Sequence, residues 1–387
     1  MTRSNMKIAM LLSNPFRPDP RVFKEAKSLT ISGYQVSIIC WDRKKEFPPR
    51  EKIRGIDIIR VHSVASTYGA GIKQLLSLPR FWQAALNCLD DLQPDILHCH
   101  DLDTLPIGWR YSKIYPAKLI YDAHEDYPSL MSLYLPKFLV ASLTRLEAFL
   151  IKDVDRIITA STILEKKFNR ESRHKAVTIG NYPNLSPFKN LSPDDTLRVR
   201  NQIGIHEQLF LVAYIGGFSR NRMLISMIKA AENLPDVHFA FWGDGHQRQL
   251  IKAAAETMSN VHYFGWLPYD KVPLYTSAAD VVFYVINPDY PGAIYNAPNA
   301  LGNAMAAGSP LIANDLGDLG RVIRETNSGI LLETITTESI IAAIQLYRDP
   351  LFREQIGLNG KQASRNDYNW QQMEGKLIGL YTEITQN

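Results

Sequence analysis

Short apolar runs alternate with helix-period stretches along almost the whole chain, and this alternation constrains the fold more than any other feature. Residues 7–12, 35–40, 56–61, 95–99, 118–122 and 156–160 predict strands, and 22–32, 73–92 and 130–154 predict helices between them. Strands separated by helices pair in parallel, with helices on both faces of the sheet. Asp19 followed by Pro20 sets an N-cap and a first-turn proline for the helix built on Val22, Ala26 and Leu29. The stretch 184–195, rich in Pro, Ser and Asn, interrupts the pattern and predicts a linker. The alternation then restarts with strands at 209–215, 238–242, 261–264, 280–285, 310–313 and 329–332. The expected fold class is therefore α/β, with two doubly wound parallel-sheet domains at 1–185 and 196–368 and a cleft between them. The amphipathic segment 369–387 (Trp370, Met373, Leu377, Leu380, Tyr381) is expected to cross back to the first domain. A length of 387 residues gives each domain a core of its own.

The net charge of +4 is too mild for nucleic-acid binding and suits an acidic ligand or an anionic membrane surface. Cys40, Cys88 and Cys99 are odd in number and lack metal-ligand spacing, so buried free thiols in a reducing compartment are expected. The N-terminal apolar run is too short for a signal-peptide core, and no run approaches the roughly 20 apolar residues of a membrane span. The expected location is cytoplasmic, with any membrane contact peripheral at the inner surface. The pattern of 130–154, with Leu133, Phe138, Leu146 and Phe149 among Lys137, Arg145 and Lys152, fits either a helix packed on its sheet or one lying at a membrane interface.

The stretch 284–315 holds a strand, a polar loop at 288–298, a small-residue helix ending at Gly308 and another strand. Such a handover from strand to helix is where parallel sheets bind ligands. Gly302, Ala304, Ala306 and Ala307 would let the helix start approach an anion such as a diphosphate; an ordinary strand–loop–helix is the alternative. In 214–223 a strand ends in Gly216-Gly217, with Arg220 and Arg222 placed to meet a phosphate. This is not the GxGxxG pattern of dinucleotide binding, and a plain tight turn is the alternative. Gly243 and Gly245 read as structural, with Asp244 as a helix cap. The turn Trp266-Leu267-Pro268 could take a flat base or form a hydrophobic turn.

In the first domain, 97–103 and 121–128 bring His98, His100, Asp101, Asp103, Asp122, His124, Glu125 and Asp126 to strand ends. So dense a group of acids and histidines is costly unless paired or functional. The spacing follows no zinc pattern, and no metal is expected. His98 reads as a satisfied strand histidine and His124 as functional.

The order of these segments resembles glycosyltransferase family 4, with the two-Rossmann GT-B architecture. The resemblance is carried by 19–39, LHCHD, YDAHED, 143–161, IGNYPNL, YIGGFSRNR, FWGDG, VHYFGWLP and NAPNALGNAMAAGSPLIAND. It implies transfer of a sugar from a nucleotide diphosphate sugar to a glycan or lipid-linked acceptor, with retention, and with no cofactor or obligatory metal. A role in cell-surface polysaccharide synthesis goes with it. By position, Arg222 matches the residue neutralising the leaving phosphate, and His124 the histidine near the reacting sugar. Gly216, Gly217, Arg220, Leu267, Asn299, Ala300 and Asn303 fall on the donor side, and Arg21, Asp101 and Glu125 on the acceptor side. The triplet Asp101-Leu102-Asp103 resembles the metal-holding Asp-x-Asp of a different glycosyltransferase architecture, which the two-domain layout disfavours.

Some positions depart from the family pattern. Two glutamates usually stand eight positions apart around the donor loop, where this chain has Tyr295 and Asn303. Ala300 stands where a close branch has lysine, and Gly217 where many members have arginine. The expectation is an enzyme with an altered donor pocket. The alternatives are a glycosyltransferase-like binding or regulatory subunit and a sugar-nucleotide epimerase of the same architecture.

Overall fold

The computed structural model describes residues 6–17, 19–62, 72–171 and 175–386. The chain divides into two compact units, Met1–Gly180 with Glu374–Asn387, and Asn181–Met373. The first unit holds β1 (Lys7–Leu12), β2 (Gln35–Trp41), β3 (Arg50–Ile53), β4 (Ile56–Val61), β5 (Ile96–His100), β6 (Lys118–Ala123), β7 (Arg156–Thr159) and β8 (Ala176–Thr178). They form one sheet in the order β3-β4-β2-β1-β5-β6-β7-β8. Every pairing is parallel except β3 with β4. The central strands β1, β2, β5 and β6 are buried along nearly their whole length, which is why they read as continuous apolar runs. Strand β3, Arg-Glu-Lys-Ile, lies at the sheet edge and escapes a search for apolar runs.

The second unit holds β9 (Phe210–Ile215), β10 (Val237–Trp242), β11 (Val261–Gly265), β12 (Val281–Tyr284), β13 (Leu311–Asn314) and β14 (Gly329–Leu332). Its sheet is parallel throughout, in the order β11-β10-β9-β12-β13-β14. The order reverses between β9 and β12, so the loops leaving these strands diverge and open a crevice at their carboxyl ends. Beneath it, Tyr214, Phe239, Phe241 and Phe283 pack with Leu301, Met305 and Tyr347 into one core.

The structure revises several expectations. The helix expected over 130–154 is two helices, Tyr127–Met131 and Lys137–Leu150, because Pro136 occupies the N-cap of the second. The stretch 184–195 lies inside the second unit and is not a linker; the unit boundary is Gly180/Asn181. It holds a short helix, Ser186–Lys189, and the start of the helix Pro193–Gln202. Ser192 and Asp195 form a capping box there and Pro193 takes the first helical position, so a linker-like composition is a helix-start signal. The C-terminal helix Trp370–Gln386 joins the first unit from Glu374 onward, burying Leu377, Tyr381 and Ile384. Cys40 and Cys99 are buried and Cys88 half-buried, all free thiols. Among the described residues, no helix is long and apolar enough to cross a membrane.

Candidate active site

In the second unit, three loops at the carboxyl edge of the sheet are tied by backbone hydrogen bonds. Gly216 N–H donates to Trp242 O at 3.0 Å, Phe218 N–H to Asp244 O at 2.8 Å, and Gly243 N–H to Gly265 O at 2.7 Å. The approach is so close that a Cβ on Gly243 would lie 1.9 Å from Gly216 O. Gly243 is thus required by packing, in line with its structural reading. Gln247 holds the β9 loop from below, its Nε2 donating to Ser219 O at 2.6 Å and Arg222 O at 2.9 Å. Asp244 does not cap the following helix Arg248–Thr257, whose N-cap is Gln247; it pairs with Arg248 instead.

Arg222 is half-buried and fixed from several sides. Its backbone forms an antiparallel bridge with Ile286, which joins the loops after β9 and β12 at the reversal of strand order. Its guanidinium lies 4.6 Å from the ring centroid of Tyr284, and the Tyr214 ring stacks parallel to that ring at 6.3 Å. Such a cation–π contact helps to orient the side chain. Arg220 is exposed on the same loop.

The helices that follow these two strands, Leu224–Glu232 and Asn299–Ala307, have Met223 and Pro298 at their N-caps, and neither start has a side-chain cap. The helices Arg248–Thr257 and Gly317–Thr326 also start without a side-chain cap, whereas Pro193–Gln202, Thr337–Tyr347 and Pro350–Asn366 are capped by Ser192, Thr336 and Asp349. Uncapped starts leave N–H groups and the positive dipole end available to an anion. Asn299 is exposed at the second start and Ala300 half-buried. Asn303 is 8% exposed. Gly302 serves a purpose other than the expected close approach to a ligand: a Cβ there would lie 2.7 Å from Pro183 Cδ. Leu267 packs against the small cluster of Ile205, Leu211, Ala240 and Trp242. Trp266 beside it is 64% exposed and is not part of a packed hydrophobic turn.

In the first unit, a fully buried carboxylate, Asp122, organises the strand-end cluster. Arg21 reaches it with two nitrogens, Nη2 at 2.8 Å and Nε at 3.2 Å, and donates a third bond to Ile179 O. His98 Nε2 lies 3.5 Å from Asp122, and His100 Nδ1 and His124 Nε2 each lie 3.3 Å from it. His98 and His100 share one face of β5 with their rings stacked, and His98 Nδ1 is 2.7 Å from Tyr381 Oη. His98 is thus a core histidine, hydrogen-bonded through Nδ1 while its Nε2 has no hydrogen-bond partner. Arg21 is buried among internal partners, so its guanidinium is committed to the cluster and is not presented to an acceptor. Glu25, one helical turn on, lies 3.2 Å from Arg21.

Asp101 brackets His124 from the other side. Its backbone is left-handed at φ 61°, a conformation Asp tolerates better than most residues. The carboxylate accepts from His124 N–H at 3.1 Å and lies 3.7 Å from Nδ1. Burial would lower the His124 pKa, but Asp101 and Asp122 outweigh it and push it up to about 10. Burial alone would raise Asp122; Arg21 and His124 hold it well below the usual carboxylate range. Burial, reinforced by Asp122, pushes Glu25 up to about 8. Asp101 is pushed up to about 7, chiefly by burial. At neutral pH, His124 is therefore a cation that can only donate, and Glu25 is largely protonated. Glu125 is exposed next to His124. Glu25, His98, His100 and Asp122 place ligand-type atoms within 4.8 Å of one another, yet the Arg21 cation already pairs with Asp122 and lies against the Glu25 carboxyl. Asp101 and Asp103 are not part of that group.

The sequence reading did not place Glu25, Tyr284 or Gln247 at a site, and it placed Tyr381 only on the amphipathic C-terminal segment. Only Glu25 carried a local signal, its spacing of four from Arg21 on a helix.

The Glu25 assignment has a pH signature. An acid raised from 4.5 to about 8 is stabilising as the protonated form. That contribution is complete below the unfolded value and is lost as pH rises toward the folded one. Glu25→Gln should therefore gain stability relative to the parent between about pH 5 and about pH 8, measured by urea unfolding. Parallel pH dependence in both proteins would contradict the assignment.

Comparison with known proteins bears on the family and the fold. The model for Glycosyltransferase Family 4 matches residues 21–182, and that for Glycosyl transferases group 1 matches residues 210–349. An uncharacterized glycosyltransferase of Methanocaldococcus jannaschii is 23% identical over 373 residues, covering 92% of this chain and 91% of the relative. Sucrose-phosphate synthase from Thermosynechococcus elongatus shares the fold with a TM-score of 0.82 at 19% identity, over 98% of this chain and 99% of that one. HepE of Anabaena, solved in complex with UDP-glucose, superposes with a TM-score of 0.75 at 16% identity, over 98% of this chain and 100% of its own. The two family models together span more than half of the sequence, and with the archaeal relative they make this chain a GT-B glycosyltransferase of the family 4 type.

Proposed function

We propose that this glycosyltransferase moves a sugar from a nucleoside diphosphate sugar to an acceptor with retention of configuration, the donor being held by the second unit. The observation that carries this reading is the edge at β9 and β12, where two helices start without side-chain caps and Arg222 is fixed between the strands. Donors preorganised in this way can hold a diphosphate and stabilise its charge as it leaves, without a metal. HepE, alike in fold, is solved with UDP-glucose, which supports a nucleotide sugar as donor. Gly216 and Gly217 lie under the phosphates, Arg220 and Arg222 supply charge, and the turn at Leu267 takes the base. The sugar–phosphate bond breaks as the acceptor oxygen bonds the same carbon on the same face, and the leaving phosphate oxygen takes the acceptor proton. In the first unit, His124 donates to a sugar hydroxyl.

Asn303 is assigned to the ribose. It lacks the charge of a glutamate, but its side chain makes no hydrogen bond among the described residues and stands on the second turn of an uncapped helix. Arg222→Ala should lower turnover about 10²–10³-fold, as loss of one preorganised charge donor does, with an unchanged melting transition. Asn303→Glu should tighten donor binding by about 1.5 kcal/mol, near tenfold, through a charge-assisted bond. Wild-type levels in both variants would remove the donor assignment. A folded wild type that turns over no nucleotide sugar would favour the binding-subunit alternative.

A lipid-linked or cell-surface glycan is the acceptor class supported by the helix Lys137–Leu150. Only Glu147 and Leu150 are buried on it. Phe138 is 70% and Phe149 52% exposed, with Lys137, Arg145 and Lys152 exposed nearby. Aromatic residues among cations suit an anionic interface. The wild type should co-sediment with vesicles containing phosphatidylglycerol, and replacing Phe138 and Phe149 by serine should abolish this. Equal sedimentation of both proteins would sink peripheral contact through this helix.

A further inference from the structure

Beside the last turn of the helix Asn299–Ala307, a cavity of about 230 Å³ opens within the second unit. Lys189, Lys361 and Arg365 line it, with Ser364, and Leu185 and Phe188 form an apolar wall. Lys361, Ser364 and Arg365 are spaced three and four apart on the helix Pro350–Asn366, so they share one face. None of the three cations is in an ion pair among the described residues. A second observation points to a ligand. Ser364 is 1% exposed, and its Oγ has no hydrogen-bond partner. A helical serine ordinarily returns its hydroxyl to a carbonyl one turn back, and a buried polar group without a partner is uncommon. The residue that carries this hydroxyl lines the same cavity as the three cations.

We infer that this cavity binds the phosphate group of a small phosphorylated molecule, held by Lys189, Lys361 and Arg365 and by a hydrogen bond from Ser364 Oγ. The volume is below that of a drug-sized ligand pocket, which suits a phosphate or a sugar phosphate and excludes a whole nucleotide sugar. Ala306 also borders the cavity, so the ligand would press on the helix that carries Asn299 at its start and Asn303 one turn before Ala306. An influence on donor affinity therefore rests on the donor reading above; binding itself does not.

The test is calorimetric titration with inorganic phosphate, glucose 6-phosphate and glucose. Three proteins are compared: the wild type, Lys361→Gln with Arg365→Gln, and Arg222→Ala. The wild type and Arg222→Ala should bind both phosphate compounds and not glucose, with affinity in the double variant at least about tenfold weaker. Ser364→Ala keeps both charges and should weaken binding by a smaller factor, which guards against a folding defect in the double variant. Tighter binding of glucose 6-phosphate than of phosphate would place the sugar on the Leu185–Phe188 wall, and equal binding would confine recognition to the phosphate. Either supports the site. No binding by the wild type, equal binding by the double variant, or loss in Arg222→Ala alone would overturn it. The last result would assign the ions to the donor edge instead.

Discussion

The bidentate pair between Arg21 and Asp122 is the interaction on which the first unit's site depends. Asp122 is a carboxylate with no access to solvent, and three histidines converge on it. Without Arg21 the buried charge would be uncompensated, and breaking such a pair costs about 3–5 kcal/mol. With it, the cluster can hold one further cation, and geometry selects His124. His98 and His100 face Asp122 too, but burial lowers both and keeps them neutral. His124 has a second carboxylate, Asp101, held against it by a left-handed backbone, whereas the second carboxyl beside His98 is that of Glu25, which burial keeps largely protonated. Asp101 and Asp122 charge His124 against the direct repulsion of Arg21, whose part is to keep Asp122 ionised.

The second unit reaches the same end by backbone rather than charge. Its edge is an arrangement of N–H donors, and their precision comes from how tightly the loops after β9, β10 and β11 are joined. A parallel sheet leaves these loops to fend for themselves, since strand pairing stops where they begin. Gly216, Gly243 and Gly265 allow the main chains to meet and continue the hydrogen bonding past the strands. Gln247 then secures the β9 loop from beneath. Arg222 is consequently held before any ligand arrives, and little ordering is left to be done on binding.

Fold and site were legible in the sequence to different degrees. Buried parallel strands announce themselves as apolar runs, so β1, β2, β5, β6 and every strand of the second sheet could be found to within a residue or two. The charged edge strand β3 could not. Helix-start chemistry misled at 184–195, where Pro, Ser and Asp mark a cap as readily as a linker. Pro136 was equally readable, yet a long apolar pattern hid it. At the site, the strand-end histidines and acids were visible as a group, but their division of labour was not. Whether His98 is structural and His124 polar-active depends on Tyr381 and Asp101, which sequence distance conceals. Gly302 shows the same limit: a small residue near a candidate ligand site answers to Pro183 instead.

The central claim is that the edge at β9 and β12 holds a nucleoside diphosphate through N–H groups and Arg222. Calorimetric titration of the intact protein with UDP, GDP and their sugar conjugates, in buffer containing a metal chelator, tests it most directly. The account predicts that one nucleotide binds at about micromolar strength or better, without metal. Absence of binding by a folded protein, or binding that appears only when a divalent metal is restored, would contradict it.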